Sequence, residues 1–290
     1  LKDHEAFRKE LKRQKNAVFS YSPLISIVIV LADTDVRRLK NVIDAYTDQT
    51  YDNWQLCLVD ANEGEETGEF LRKKYKKEIR LSYKKVTENK GISENLNAAL
   101  KLAMGDYVLF ADQETVPAPD ALFCMVKAVT EKKADMIYTD EDQISVDGKQ
   151  HYEPKFKPDF NLYRLRENNY IGRFWAVRKE IMEQAGWFNP QYDGAENFDM
   201  LLRCSEQAAQ IVHIPRVLCH NMDAGQQLSQ EEKQKAGEAG RKALEEHYHR
   251  VQIPAAVEQT EKPGWYRSHL AIQGEPLVSI IIPSKDHIND

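Results

Sequence analysis

The chain has 290 residues, 42% hydrophobic and 30% charged, enough for two average domains or one large α/β domain with a buried core. Its 46 acidic residues against 40 basic ones give a net charge of -6, which excludes a general nucleic-acid binder, since counterion-release affinity needs a basic surface. The longest apolar run, residues 24–32, is too short to cross a bilayer about 30 Å thick.

Residues 3–17 are charged and helix-prone with few apolar anchors, the pattern of a surface helix. LISIVIVLA after Pro23 is a continuous β-branched run, expected for a strand buried on both faces. Asp35 can cap a helix whose positions Val36, Leu39, Val42, Ile43 and Tyr46 follow the 3.6 period. WQLCLVD (54–60) reads as a second buried strand, then come a helix through Phe70 and Leu71 and the strand IRLSY (79–83). Ile92, Leu96, Ala99, Leu100 and Ala103 mark a helix that Gly105 is expected to stop. YVLFAD (107–112) is the next strand, and the Pro117–Asp120 turn opens a helix carrying Leu122, Val126 and Val129. Strands alternating with helices of this length predict βαβ units and a mainly parallel sheet.

Past residue 135 the rhythm becomes α+β: MIYTDED, a hairpin at Asp147-Gly148, FKPDFN, a helix at 196–208, the strand PRVLCH (215–220) and a polar helix at about 229–249. PLISIVIVLADTD, from Pro23, returns as PLVSIIIPSKDHI, from Pro276. The repeat predicts one complete unit followed by the first strand of a second, truncated copy. The expected organisation is an N-terminal helical extension (1–21), a main domain (22–270), and a linker with that strand (271–290).

No charged-then-apolar leader opens the sequence, so no signal peptide is expected. Cys57, Cys124, Cys204 and Cys219 contain no CxxC pair, and three sit among apolar neighbours, which reads as reduced thiols in a cytosolic compartment.

In an open parallel sheet ligands bind beyond the carboxyl ends of the strands. The polar residues there are Asp33 and Asp35, Asp60, and Asp112 with Glu114. No GxGxxG follows the first strand and no GxxxxGK[ST] exists, so a dinucleotide fold and a P-loop lose their support. Carboxylates without a glycine phosphate loop suggest a hard divalent cation between protein and diphosphate oxygens. Acidic pairs two apart also occur at Asp33/Asp35 and Asp140/Asp142, so Asp112/Glu114 can equally be a solvated turn, and His220 an ordinary exposed histidine. RKKYKK (72–77) reads as a solvated helix face; adhesion to an anionic membrane is the alternative. The Glu63/Glu65/Glu66/Glu69 cluster reads as surface.

Eight segments in order resemble the family-2 glycosyltransferases of the GT-A fold, above all the rhamnosyltransferase-like group that builds bacterial surface polysaccharide. They are ISIVIV, QTYDNWQLCLVDAN, NKGISENLNAALKLAMGDYVLFADQE, MIYTDEDQISVDGK, FKPDFN, NNYIGRFWAVRKEIMEQAGWF, GAENFDMLLR and HIPRVLCH, spanning roughly residues 22–222. PLVSIIIPSKD resembles the start of a second such domain.

The resemblance implies an α/β fold, a GT-A-type mainly parallel nucleotide-sugar-binding sheet flanked by helices with an α+β acceptor-side half. It implies transfer of a hexosyl or deoxyhexosyl group from a nucleotide-sugar to a glycan or lipid-linked glycan, inverting and dependent on Mn²⁺ or Mg²⁺. Asp33, Asp60, Asn89, Gly91, Asn97 and Asp112 fall on donor-binding positions; Asp112 and Glu114 fall on the metal motif, which His220 approaches. Glu196 and Asn197, at a helix start, occupy the place of the general base, with Asp199 a further candidate. The implied setting is cytoplasmic, at the inner face of the cytoplasmic membrane, with peripheral membrane contact, a second glycosyltransferase domain of the same chain as partner, and no nucleic acid.

Three positions depart from the family pattern. Pro-Val-Tyr-Asn after the first strand is here Val30-Leu31-Ala32-Asp33, the second metal aspartate is Glu114, and the base aspartate is Asn197, whose amide cannot accept a proton near neutral pH. They motivate an alternative: a degenerate domain that binds nucleotide or glycan, or scaffolds a following catalytic domain, in which Asn197→Asp with Glu114→Asp would create or raise activity.

Overall fold

Three apolar runs build the centre of the molecule, because each is buried on both faces and finds a neighbour on both edges. The computed structural model describes residues 2–222, 229–272 and 274–283. After the surface helix α1 (Lys2–Lys15) comes β1 (Ile25–Leu31), then α2 (Val36–Thr47), which starts where Asp35 accepts the N–H of Arg37. β2 (Trp54–Asp60), α3 (Glu66–Lys74), β3 (Leu81–Lys85), α4 (Ile92–Leu100) and β4 (Tyr107–Phe110) complete the parallel βαβ half. The second half holds β5 (Thr115–Pro117), α5 (Ala121–Lys132), β6 (Met136–Ile144), β7 (His151–Lys155), α6 (Leu162–Glu167), β8 (Trp175–Arg178), α7 (Lys179–Ala185), α8 (Glu196–Gln207) and β9 (Ile211–Met222). The long α9 (Gln230–Arg250) and the hairpin of β10 (Ala255–Gln259) with β11 (Tyr266–Leu270) close the described fold.

The nine-stranded sheet runs β3-β2-β1-β4-β8-β6-β9-β5, with β7 added to β6. β1 pairs in parallel with both β2 and β4, and β2 with β3. β8 enters antiparallel between β4 and β6, and β9 returns parallel to β6. The predicted parallel sheet and its Asp147-Gly148 hairpin are therefore present. Alternation along β1 feeds two cores. Ile25, Ile27, Ile29 and Leu31 face the layer of α2 and α5, where Leu39, Val42, Ile43 and Tyr46 are buried. Val28 faces the layer of α4, α8 and α9. At about 1.5–3 kcal/mol per fully buried large side chain, these contacts outweigh the weak intrinsic preferences of the short strands.

The structure shifts several boundaries. Ile79 is 95% exposed, so β3 starts at Leu81 rather than at residue 79. β4 stops at Phe110, which leaves Asp112 in the loop beyond it. Gly105 does not end α4, whose last residue is Leu100. A Cβ there would lie 2.4 Å from the Leu24 carbonyl and 2.8 Å from the Ser26 nitrogen, so Gly105 serves the close approach of two backbones. β5, α6, β8, α7, β10 and β11 have no element in the sequence reading; most are too short to show a period. The repeated segment carries no strand in 274–283, and Leu277, Ile280, Ile281 and Ile282 are exposed; without a neighbouring ladder such a run has nothing to pair with. Its continuation from Ser284 lies outside the described residues. No described helix is long and apolar enough to cross a membrane.

A buried polar knot ties the lower ends of the central strands. Ser26, fully buried, donates to Gln55 Oε1 (3.0 Å) and accepts the N–H of Gly105 (2.9 Å), while Gln55 Nε2 donates to Ser82 and the Leu102 carbonyl. Gly105→Ala should therefore force the β1 and β4 leads apart and cost about 1–3 kcal/mol, read as a lower urea midpoint with unchanged m-value. An unchanged midpoint would show that the approach is slack.

Candidate active site at the strand ends

Because β1, β2 and β4 run in register (Leu31 opposite Asp60, Val28 opposite Phe110), their polar ends arrive at one edge of the sheet. A hydrogen-bond network satisfies that edge. Asp60, fully buried, accepts from the Tyr83 hydroxyl (2.6 Å) and from the amide of Asn62 (2.7 Å), with Lys85 3.4 Å away. Asn62 accepts the N–H of Thr34, and the Thr34 hydroxyl donates to Gln113 Oε1 (2.7 Å). Gln113 in turn pairs with both the N–H and the carbonyl of Ala32. The middle residue of Asp112-Gln113-Glu114 is thus the clamp that joins the ends of β1 and β4. Asp33, exposed, turns the loop with φ +49°.

A cleft of 620 Å³ opens over this edge. Val30, Ala32 and Phe110 form its floor, Ile92 and Leu96 of α4 one wall, and Glu196 with α9 residues Glu232, Lys235 and Ala236 the other. Phe110 packs between Trp175 and Phe188 (ring centroids 4.7 and 5.4 Å), so the floor is rigid and apolar. A second cavity of 670 Å³ shares Asp112 and Arg173 with the first and extends along Glu141, Lys157 and Asn221. Asp112 therefore stands where the two spaces meet.

Each carboxylate of the acidic motif meets a guanidinium. Asp112 Oδ2 contacts Arg173 Nη1, and its Oδ1 accepts the N–H of Gln113. Glu114 accepts from Arg38 (3.2 Å); burial raises the Glu114 pKa, and Arg38 only partly offsets this. The next acidic run distributes its charge likewise. Asp140 takes His213 (2.8 Å), Glu141 takes Lys157 (3.0 Å) and Lys155 (3.2 Å), and Asp142 takes His220 (2.6 Å) and His151 (2.9 Å). Burial alone would raise the Glu141 pKa, but the two lysines hold it below the usual glutamate range.

The three base candidates separate cleanly. Asn197 is pinned at both ends: Oδ1 accepts the Trp175 indole N–H (2.7 Å) and Nδ2 donates to the Gly172 carbonyl (3.0 Å). Asp199 is fully buried and paired with Arg203 four residues on. Glu196 lines the cleft, held by the N–H of Gly194 (2.8 Å), and burial raises its pKa.

The remaining predicted positions organise the α4 wall. Asn89 accepts from Gly91 N and Asn95 Nδ2, and Asn97 is buried, pairing with both backbone groups of Phe188. Gly91 has φ +104°, and a Cβ there would sit 2.5 Å from Asp193 Oδ2, whose carboxylate also accepts the N–H of Ser93. Asn97 thus supports the wall from behind. His220 is hydrogen-bonded to Asp142 and grouped with Asp142 and His151. Sequence reasoning passed over Thr34, Arg38, Asn62, Gln113 and Arg173. Only the acidic motif around Gln113 gave a signal, since no spacing pairs Arg38 or Arg173 with carboxylates so distant in the chain.

Residues 26–186, more than half the chain, match the model of the family described as glycosyl transferase family 2. An uncharacterized protein of Sinorhizobium fredii, y4gI, is 37% identical over 92% of this chain, which covers 30% of that protein. The O-antigen biosynthesis protein RfbC of Myxococcus xanthus is 30% identical over 97% of this chain, covering 22% of that protein. The chain thus spans a third or less of these curated relatives. Among solved structures, residues 1–349 of S. aureus TarS superpose with TM-score 0.58 at 14% identity over 78% of this chain and 72% of theirs. The mannosyltransferase PcManGT of Pyrobaculum calidifontis, in complex with GDP-Man and Mn²⁺, gives 0.57 at 17% over 85% and 71%. At these identities the likeness shows the fold, a GT-A-type sheet.

Asn197→Asp should replace the donated hydrogen bond to Gly172 by two facing oxygens. It is expected to lower stability by about 1–3 kcal/mol in chemical denaturation, with no gain in turnover. A stable variant with raised activity would show that position 197 turns freely into the cleft.

Proposed function

The chain belongs to glycosyl transferase family 2, and from that premise we propose that it moves a sugar from a nucleotide-sugar onto a growing glycan, in the making of a surface or cell-wall polysaccharide. The observation that carries the reading is the convergence of Glu196, Asp112 and Arg173 on one cleft beyond the strand ends. The name of the Myxococcus relative, an O-antigen biosynthesis protein, and the UDP, UDP-GlcNAc and GDP-Man complexes of the structural neighbours point to the same chemistry.

Glu196 takes the proton of an acceptor hydroxyl as that oxygen attacks the anomeric carbon. The bond from that carbon to the diphosphate oxygen breaks, nucleoside diphosphate leaves, and the single displacement inverts the sugar through an oxocarbenium-like transition state. Asp112 and Glu114 are hard oxygen donors of the kind Mg²⁺ or Mn²⁺ accepts, and they would hold a divalent ion that neutralises the leaving diphosphate. Arg173 and Arg38, already at those carboxylates, add positive charge beside the phosphates. Asp60, buried beneath the strand ends, would act through Asn62 to set the loop of Asp33 at the nucleoside end; Asn89, Gly91 and Asn97 shape the α4 wall beside it. Work at the inner face of the cytoplasmic membrane suits a lipid-linked acceptor, the exposed basic run 72–77 offering peripheral contact. The repeated Pro276 segment supports a second domain of the same kind downstream.

The test is release of nucleoside diphosphate from UDP-, dTDP- and GDP-sugars with Mn²⁺ or Mg²⁺ and glycan acceptors. Glu196→Gln should lower transfer about 10²–10⁴-fold while nucleotide binding by calorimetry stays intact. Transfer needs the ionised carboxylate, and burial raises its pKa, so activity should rise with pH through an apparent value above the usual glutamate range and vanish below it. Full turnover by Glu196→Gln would move the base elsewhere. Nucleotide binding without turnover on any donor would favour the non-catalytic alternative.

A further inference from the structure

We propose that His151, Asp142 and His220 form a second cation site, selective for a borderline transition ion of the Zn²⁺ class, distinct from the all-oxygen pair Asp112/Glu114. The three residues come from adjacent strands: His220 from β9, Asp142 opposite it on β6, and His151 from β7, opposite Ile144, two residues along β6 from Asp142. One ligand atom from each lies within 4.8 Å of the others. Asp142 is buried and places one oxygen 2.6 Å from His220 Nδ1 and the other 2.9 Å from His151 Nδ1. The imidazoles stand edge to face with centroids 4.6 Å apart.

Two ligands of a tetrahedral Zn²⁺, each about 2.0–2.1 Å from the ion, lie about 3.3 Å apart. The 2.6 and 2.9 Å contacts are hydrogen bonds made by opposite oxygens of Asp142, so an ion would take the place of both, with one carboxylate oxygen turned toward the two imidazoles. Two nitrogens and one oxygen suit Zn²⁺, whereas Mg²⁺ and Ca²⁺ prefer oxygen alone. His151 is half exposed, which gives the ion an entry path and leaves a fourth position to water.

The fold gives such an ion a task. All five residues of β7 are exposed, so this edge strand has almost no packing of its own. The ion would staple it to β6 and β9. It would also steady the strand whose next residue, Asn221, accepts from Thr115 and lines the cavity holding Asp112 and Arg173. The proposal does not depend on glycosyl transfer.

The test uses the 290-residue chain stripped with chelator, then titrated with Zn²⁺ by calorimetry and with Co²⁺ by visible absorption. One equivalent should bind, with the intense ligand-field bands of low-coordinate Co²⁺. Zn²⁺ should also slow amide exchange across residues 145–155. His151→Ala, a change on an exposed strand, should weaken binding about 100-fold or more and remove that protection, while Asp112→Asn leaves both intact. No stoichiometric binding, or binding that survives His151→Ala or is lost in Asp112→Asn, would overturn the assignment.

Discussion

The parallel pairing of β1 with both β2 and β4 is the constraint from which the site follows. Three strands buried on both faces leave no freedom of register, and their polar ends must leave the sheet along one edge. Groups ending there must be hydrogen-bonded to one another or face solvent. The relay from Asp60 through Asn62 and Thr34 to Gln113 meets the first demand; Asp112, Arg173 and Glu196 meet the second around the cleft. Strand pairing, network and cleft are three levels of one arrangement.

The electrostatics have a common theme. Acidic side chains at the strand ends and along β6 are matched by basic ones from distant parts of the chain, so the net charge of -6 says little about the field inside the cleft. At Glu196 burial outweighs the backbone N–H donors and the charge of Arg173, and moves its proton affinity toward that of a general base.

How much of this was legible in the sequence depends on range. The strand ISIVIV, the Asp35 cap and the buried stripe of α2 are local and periodic, and they could be read directly. The short β8 and β5 could not, because four and three residues hold no period and their pairing is decided by partners far away. Gly105 looked like a helix stop because glycine serves both turns and close approaches, and only the second use needs the fold to be seen. At the site, the acidic motif and the helix start at Glu196 were visible, but not the choice between Glu196, Asn197 and Asp199. That choice rests on Trp175, Gly172 and Arg203, whose partners lie 22, 25 and 4 residues away. Likewise, His220 was recognisable as a ligand type while its company was not.

The three consecutive acids of β6 have one more consequence. Asp140, Glu141 and Asp142 each answer a different basic group: His213, the lysine pair, and the paired histidines. Sliding β6 by a single residue against β9 would part Asp140 from His213 and Asp142 from His220, at about 1–3 kcal/mol for each carboxylate left buried without a partner. During folding the triplet therefore acts as a key that fits one alignment and adds to the apolar residues' own resistance to slipped pairings.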